Sequence, residues 1–551
     1  MEHFQNKVIY QLYPKSFKDS DGDGIGDLQG IISQVPYLAE LGVDMIWMNP
    51  IFVSPQKDNG YDITDYCAID PVFGTMDDFE ELIRTLKKEQ IEVMFDMVFN
   101  HTSTTHEWFQ KALLGDKEYE DFYIIREQKA DGGLPTDWES KFGGEAWAPF
   151  GDTGKYYLHL FDESQADLNW RNPRVRDELQ KVVNFWLAKG IKGFRFDVLN
   201  LIGKDELLLD SGGSNEKSIY TDRPIVHEYI RELNEASFGK ADNIVTVGEM
   251  SSTTVENGIL YSNPERKELS MIFNFHHLKV DYKDGEKWSN PPFDFLELKR
   301  ILSEWQTGMS IGNGWNALFW NNHDQPRANS RFGDTTNYPY ETATMLAQTI
   351  HLLRGTPYVY QGEEIGMTNP DFIDISDYVD IETHNAYQEM RLAGLSHQTA
   401  MEITKQKSRD NSRTPMQWDG SPNAGFTTGK PWLKVSDNYP TINVEKELAD
   451  GKIFRYYQKL IQLRKENAII SEGSYEGVLL DDAEVYAYFR ENEEEKVLVL
   501  NHFYPGEHTL AIPEEWTEAT SECWIGNYEQ RPLSASFTLH AYETVAYRMK
   551  K

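Results

Sequence analysis

Eight short runs of apolar, β-branched or aromatic residues recur along the chain, at 8–14, 45–50, 93–99, 193–198, 244–250, 271–275, 317–322 and 357–361. Most are separated by longer stretches whose apolar positions repeat at helical spacing, such as 77–89 and 175–189. The short runs are almost continuously hydrophobic. That is the pattern of strands covered on both faces, as in parallel sheets. Strand and helix alternating eight times predicts a (β/α)8 barrel over a doubly wound sheet.

Two interruptions break the rhythm. About seventy residues rich in Gly, Trp and Phe lie between His101, at the end of the third run, and the helix expected to start near Pro173. A structureless loop of that length is uncommon in a compact domain, so an inserted subdomain is expected there. A second, polar insertion follows the eighth run, over 367–431. After about residue 471 the runs alternate instead, at 483–490, 496–502 and 543–549, which predicts a C-terminal antiparallel β-sandwich. The expected division is a barrel from 1–101 and 172–470, an inserted subdomain at 102–171 and a sandwich at 471–551.

Composition narrows the functional classes. The net charge of −35 disfavours nucleic acid and anionic membrane as partners. Two cysteines, Cys67 and Cys523, exclude a disulfide framework. The first residues lack a signal-peptide pattern, and no apolar stretch approaches the length of a membrane span, so a cytoplasmic setting is expected. Aromatic residues make up 13% of the chain, enough for a large core and for sugar-binding clefts alike. Oligomeric state stays open between a monomer and a small homo-oligomer.

Barrel chemistry sits at the C-terminal strand ends. There the sequence offers Asp96 to His101 at the end of the third run, Arg195 and Asp197 in the fourth, Glu249 in the fifth, and His323 with Asp324 just after the seventh. One strand-end acid is commonly a salt-bridge partner. Three of them, Asp197, Glu249 and Asp324, flanked by Gly, Arg or His, point to a shared site. Glycoside hydrolysis needs one carboxylate to attack the anomeric carbon and one carboxylic acid to protonate the leaving oxygen. Arg195, two residues before Asp197 on the same strand face, is expected to keep Asp197 ionised. Burial and nearby anions are expected to keep Glu249 protonated.

The segments 96–101, 193–198, 248–250 and 322–324 resemble, in order, the four signature regions of the α-amylase family, glycoside hydrolase family 13. The resemblance implies a retaining α-glucoside hydrolase with Asp197 as nucleophile, Glu249 as acid/base and Asp324 as transition-state stabiliser. It also implies sugar contacts from Tyr61, Asp62, His101, Arg195, His323 and Arg413, with Phe142 and Phe161 as further candidates. The segment 165–170 (QADLNW) is similar to that marking the oligo-1,6-glucosidase branch. Within that branch Val198, directly after the nucleophile position, is similar to enzymes that cut α-1,6 or α-1,1 bonds.

Near the N-terminus Asp19, Asp21, Asp23 and Asp27 occupy positions 1, 3, 5 and 9 of a loop with Gly24 at position 6 and the Ile25 carbonyl at position 7. The order matches the first part of an EF-hand loop, but Gly30 replaces the bidentate glutamate. Similar loops bind one calcium ion in relatives, so one structural Ca2+ is expected, with Mg2+ the alternative. No organic cofactor is expected.

Departures from the oligo-1,6-glucosidases bear on the substrate. After the sixth run stand His276, Lys279 and Lys287, and after Glu249 comes Ser251-Ser252-Thr253-Thr254 where that group has Pro-Gly. Cations and hydroxyls in leaving-group loops of an acidic protein suit a phosphorylated aglycone. His276, Lys279, Lys287 and Ser251 are the candidate phosphate contacts. The same stretches resemble those of the phospho-α-1,1-glucosidases, the trehalose-6-phosphate hydrolases, which implies a small sugar phosphate as substrate. Two alternatives remain: an oligo-1,6-glucosidase acting on neutral sugars, and a non-catalytic relative, which the three retained acids disfavour.

Overall fold

The computed structural model describes residues 4–212, 219–517 and 521–551. Eight parallel strands lie on the eight apolar runs: β1 (Ile9–Leu12), β2 (Met45–Met48), β3 (Glu92–Met97), β4 (Gly193–Phe196), β5 (Val245–Glu249), β6 (Met271–Phe273), β7 (Ala317–Leu318) and β8 (Thr356–Tyr360). They pair in the order β6-β5-β4-β3-β2-β1-β8-β7. A parallel bridge between Ile272 and Asn316 joins the two ends into a ring, giving the (β/α)8 barrel.

Continuous hydrophobicity in the strands has a direct cause here. Their inner side chains fill the barrel and their outer ones meet helices. On the outside, Phe95 of β3 packs between Phe79 of α1 (Met76–Lys88) and Trp186 of α2 (Pro173–Ala188), with ring centroids 5.2 and 4.8 Å apart. These two helices start where the sequence caps them. Thr75 and Asp78 form a reciprocal capping box on α1, and Asn172 caps α2 ahead of Pro173.

The long interval after β3 carries a three-stranded antiparallel sheet of Ile125–Glu127, Lys155–Leu158 and Trp147–Pro149. Its small core of Trp138, Trp147, Leu158 and Leu160 also takes in Val198, Leu201 and Tyr220. The insertion after β8 is mainly helical, with α3 (Ile381–Leu392), α4 (His397–Lys407) and the short α5 (Asp410–Arg413).

The C-terminal part is antiparallel throughout. Strands β9 (Ser474–Val478), β10 (Val485–Glu491), β11 (Glu495–His502), β13 (Ser521–Gly526) and β15 (Thr544–Lys550) form a sheet in the order β9-β10-β11-β15-β13. The pair β12 (His508–Ala511) and β14 (Ser536–Leu539) covers one face of it. Alternation in β10 separates the two faces. Val485, Ala487 and Phe489 join Leu510, Phe537 and Leu539 between the sheets, while Tyr486 and Tyr488 join the barrel-side core. Among the described residues no helix is long and apolar enough to cross a membrane.

Candidate active site

The parallel register brings the strand-end acids together. Arg195 in β4 lies directly across from Asp96 in β3 and Val247 in β5, and Phe196 lies across from Gly248. Asp96, Arg195, Asp197 and Glu249 therefore meet at one level of the barrel mouth. Arg195 is almost wholly buried, at 1% exposure, and its guanidinium joins three carboxylates. Nη1 donates to Asp96 Oδ1 and to Asp197 Oδ1, both at 2.7 Å, and Nη2 donates to Glu249 Oε2. Its flat face rests over Trp47, 5.0 Å from the ring centroid.

A buried guanidinium without a counter-charge would be costly, and the carboxyl groups of Asp96, Asp197 and Glu249 gather around it to supply one. The surroundings treat the carboxyls differently. Burial pushes Asp197 up to about 6, with Arg195 opposing the rise and Asp96 adding to it. Arg195 thus limits the rise of the Asp197 pKa without bringing it below the ordinary carboxylate value, because the loss of water is the larger effect. Burial pushes Glu249 further, to about 8, against Arg195 and with the charges of Asp197 and Asp324. Near neutral pH Asp197 is ionised and Glu249 holds a proton. The two carboxyls are also in hydrogen-bond contact with each other, Glu249 as the donor.

Asp324 follows β7 and has opposite electrostatics. Burial alone would raise it, but His323, Arg409 and Arg413 hold its carboxyl well below the usual range. His323 Nε2 lies 3.1 Å from Asp324 Oδ2, and Arg413 Nη2 donates to Asp324 Oδ1 at 2.8 Å. Gln11 donates to His323 Nδ1 at 3.0 Å, so Nε2 carries the ring proton toward Asp324. Tyr61 stacks parallel on the His323 ring, 5.2 Å between centroids, and its hydroxyl donates to Asp96 Oδ2 at 2.8 Å.

The other candidate sugar contacts lie around this centre. His101 Nε2 donates to the Tyr61 carbonyl at 3.0 Å, and its ring packs 5.2 Å from Phe161. Phe142 meets Phe161 edge-on, and Arg409 lies 5.0 Å over Phe142. Asp62 is fully buried beside Tyr61, but its carboxylate accepts from Ser54 Oγ and from the backbone N–H groups of Lys57 and Asp58 in its own loop.

The candidate phosphate contacts are spread more widely. Lys287 holds both oxygens of Glu382 at 2.8 and 2.9 Å, and Glu382 in turn lies 3.2 Å from Arg409 Nε. That chain leads from Lys287 to Asp324, 3.4 Å from Arg409. His276 stacks on Trp305 and donates Nε2–H to the Thr253 carbonyl at 2.7 Å. Lys279 follows the same short turn and is half-buried. The Ser251 carbonyl accepts from Asn200 Nδ2.

Several participants escape a motif reading. Arg409 is buried among Asp58, Asp324, Asp380 and Glu382, at 3.5, 3.4, 2.5 and 3.2 Å. Three of these residues belong to the insertion after β8, where the only available signal was the pair Arg409 and Arg413, one helical turn apart. Asn49 and Gln11 hold Tyr61 and His323 in place and look like ordinary strand-end amides in the sequence.

The N-terminal loop brings carboxylate oxygens of Asp19, Asp21 and Asp27 within 4.8 Å of one another. Asp23 lies outside that group and accepts from the Ile25 N–H. Asp19 also takes a hydrogen bond from Thr427. Gly24, at φ 96°, lets the loop press on the segment after β8, since a Cβ there would sit 1.9 Å from the Lys430 carbonyl oxygen.

Residues 11–473 match the model of the alpha amylase catalytic domain, and residues 485–546 match that of the alpha-amylase SusG C-terminal domain. The chain belongs to the α-amylase family. Among its relatives, trehalose-6-phosphate hydrolase of Bacillus subtilis (strain 168) is 52% identical over 100% of this chain and 98% of its own. Oligo-1,6-glucosidase of Bacillus cereus is 45% identical over 99% of both. The crystal structure of Bacillus licheniformis trehalose-6-phosphate hydrolase superposes with a TM-score of 0.96 at 52% identity, each chain covered in full. For a family member of this kind, the mouth described above lies where barrel enzymes keep their chemistry.

Proposed function

We propose that this α-amylase family member hydrolyses trehalose 6-phosphate to glucose and glucose 6-phosphate with retention of configuration. The observation that carries the reaction type is the Asp197–Glu249 pair, one carboxyl poised to be ionised and its neighbour to be protonated at neutral pH. Carboxyls in direct contact leave no room between them for the water an inverting enzyme would place there. Asp197 attacks the anomeric carbon while Glu249 gives its proton to the departing glycosidic oxygen. The covalent glucosyl intermediate is then opened by water, whose proton returns to Glu249. Asp324, held ionised by His323, Arg409 and Arg413, accepts hydrogen bonds from sugar hydroxyls as positive charge grows on the ring.

The substrate rests on two supports. Relatives covering the full chain at 52% identity carry that name, and Lys279 and Lys287 place positive charge in the leaving-group loops. The 45% identical oligo-1,6-glucosidase supports isomaltose as the competing substrate. Initial rates on trehalose 6-phosphate, trehalose and isomaltose decide between them. The proposal expects the phosphorylated sugar to give the highest kcat/KM, and a preference for isomaltose would overturn it.

We also propose that Asp19, Asp21 and Asp27 hold one structural calcium ion, with Asp23 and the Ile25 carbonyl completing the set. The donors are hard oxygens, as Ca2+ prefers, and three converge already. Bound there, the ion would neutralise the clustered carboxylates and fix the loop.

A further inference from the structure

The ladder of β4 stops at Val198. Asp197 still donates its N–H to the Met97 carbonyl at 2.9 Å. The chain then turns left-handed at Val198, φ 37° and ψ 41°. A β-branched residue takes that conformation only where its surroundings impose it. Here they do. The Val198 side chain is buried in one apolar cluster with Trp138, Leu201 and Tyr220, and its carbonyl accepts from Leu201 N at 3.0 Å. Freed from the sheet, the Val198 N–H points to Glu249 Oε2 at 3.4 Å, the same oxygen that Arg195 Nη2 engages.

A neutral carboxyl group has one oxygen that accepts and one that donates. Two N–H donors on Oε2 mark it as the accepting oxygen. We infer that the strained turn at Val198 holds its peptide N–H on Oε2 of Glu249, leaving Oε1 to carry the proton delivered to the leaving group. Val198 is then a positioning residue, and it acts through its backbone N–H. The inference rests on Glu249 being the acid. That assignment has its own check, since Glu249→Gln retaining full activity would remove it whatever Val198 does.

Two variants separate the N–H from the side chain. A backbone amide-to-ester substitution at Val198 removes the N–H and keeps the valine side chain. Val198→Gly keeps the N–H, in a residue at ease with positive φ, and removes the side chain. Both are to be compared with the parent enzyme by thermal melting, by the pH profile of kcat/KM, and on two substrates: a disaccharide, and p-nitrophenyl α-glucoside, whose leaving group needs little protonation.

The ester is expected to move the alkaline limb to higher pH, because the lost hydrogen bond favoured the ionised carboxyl. It should also slow the disaccharide about tenfold while slowing the aryl glucoside less than about twofold. Val198→Gly should leave the alkaline limb in place. An ester variant with an unmoved limb and equal effects on both substrates overturns the inference. So does an equal limb shift in both variants, which would assign the effect to packing.

Discussion

Two buried arginines organise opposite sides of the mouth, and they are built differently. Arg195 gathers Asp96, Asp197 and Glu249 from three adjacent strands whose register places them side by side. Arg409 gathers Asp58, Asp324, Asp380 and Glu382 from loops after β2, β7 and β8. The first cluster is set by the sheet ladder and can change little without breaking the barrel. The second depends on contacts between separate loops, one of them reaching 351 residues along the chain to Asp58, and borders Lys287. On the proposed mechanism, chemistry would be anchored on the rigid side while substrate choice could drift on the other.

The largest expected effect tests the rigid side. Asp197→Asn should lower kcat on every substrate by about 10⁴-fold or more with the fold intact by circular dichroism. Arg195→Ala should strip the charge partner from three buried carboxyls and lower the unfolding free energy in urea by about 3–5 kcal/mol. A variant as stable as the parent would mean that the Arg195 cluster is not what makes this side rigid.

On the adaptable side the effect should be selective. Lys287→Ala should raise KM for trehalose 6-phosphate about tenfold and alter that for isomaltose less than about twofold. Equal changes on both sugars would show Lys287 acting only through Glu382 and the loop. The pH profile sharpens the contrast at a finer scale. kcat/KM should fall below about pH 6, as Asp197 gains a proton, and above about pH 8, as Glu249 loses one. Asp324, held well below the usual range, should contribute no limb between them. The smallest effect is that of metal removal. A calcium chelator should lower Tm by a few degrees with both limbs unmoved.

The same contrast governs what could be read in the sequence. The barrel was legible because each strand must be apolar on both faces, so eight runs stood out without any partner being known. The convergence of Asp197, Glu249 and Asp324 at the mouth was legible because these acids close those runs, beside Arg195 and His323. The sandwich strands betrayed themselves by alternation, as in Val485 to Phe489. Arg409, Asp380 and Glu382 were not legible, because their roles arise from tertiary pairing within an insertion that has no period of its own. His276 shows the converse. Its position in a loop at the mouth suggested a ligand contact, and loop sequence did not reveal that its ring stacks on Trp305 and its N–H is taken by Thr253. Val198 was visible as a residue, but its left-handed turn was not.

The loop at Asp19 has a consequence for how the chain is assembled. Its bond to Thr427 joins positions 408 residues apart, so the clasp cannot form until every strand of the ring has been made. Contacts of such long range come late in folding. Arg409 and Arg413 also follow the eighth strand, so their pairing with Asp324 waits until every strand of the ring has been made. A chain cut short after the eighth strand would keep Asp197 and Glu249 but lack two of the cations that hold Asp324 ionised.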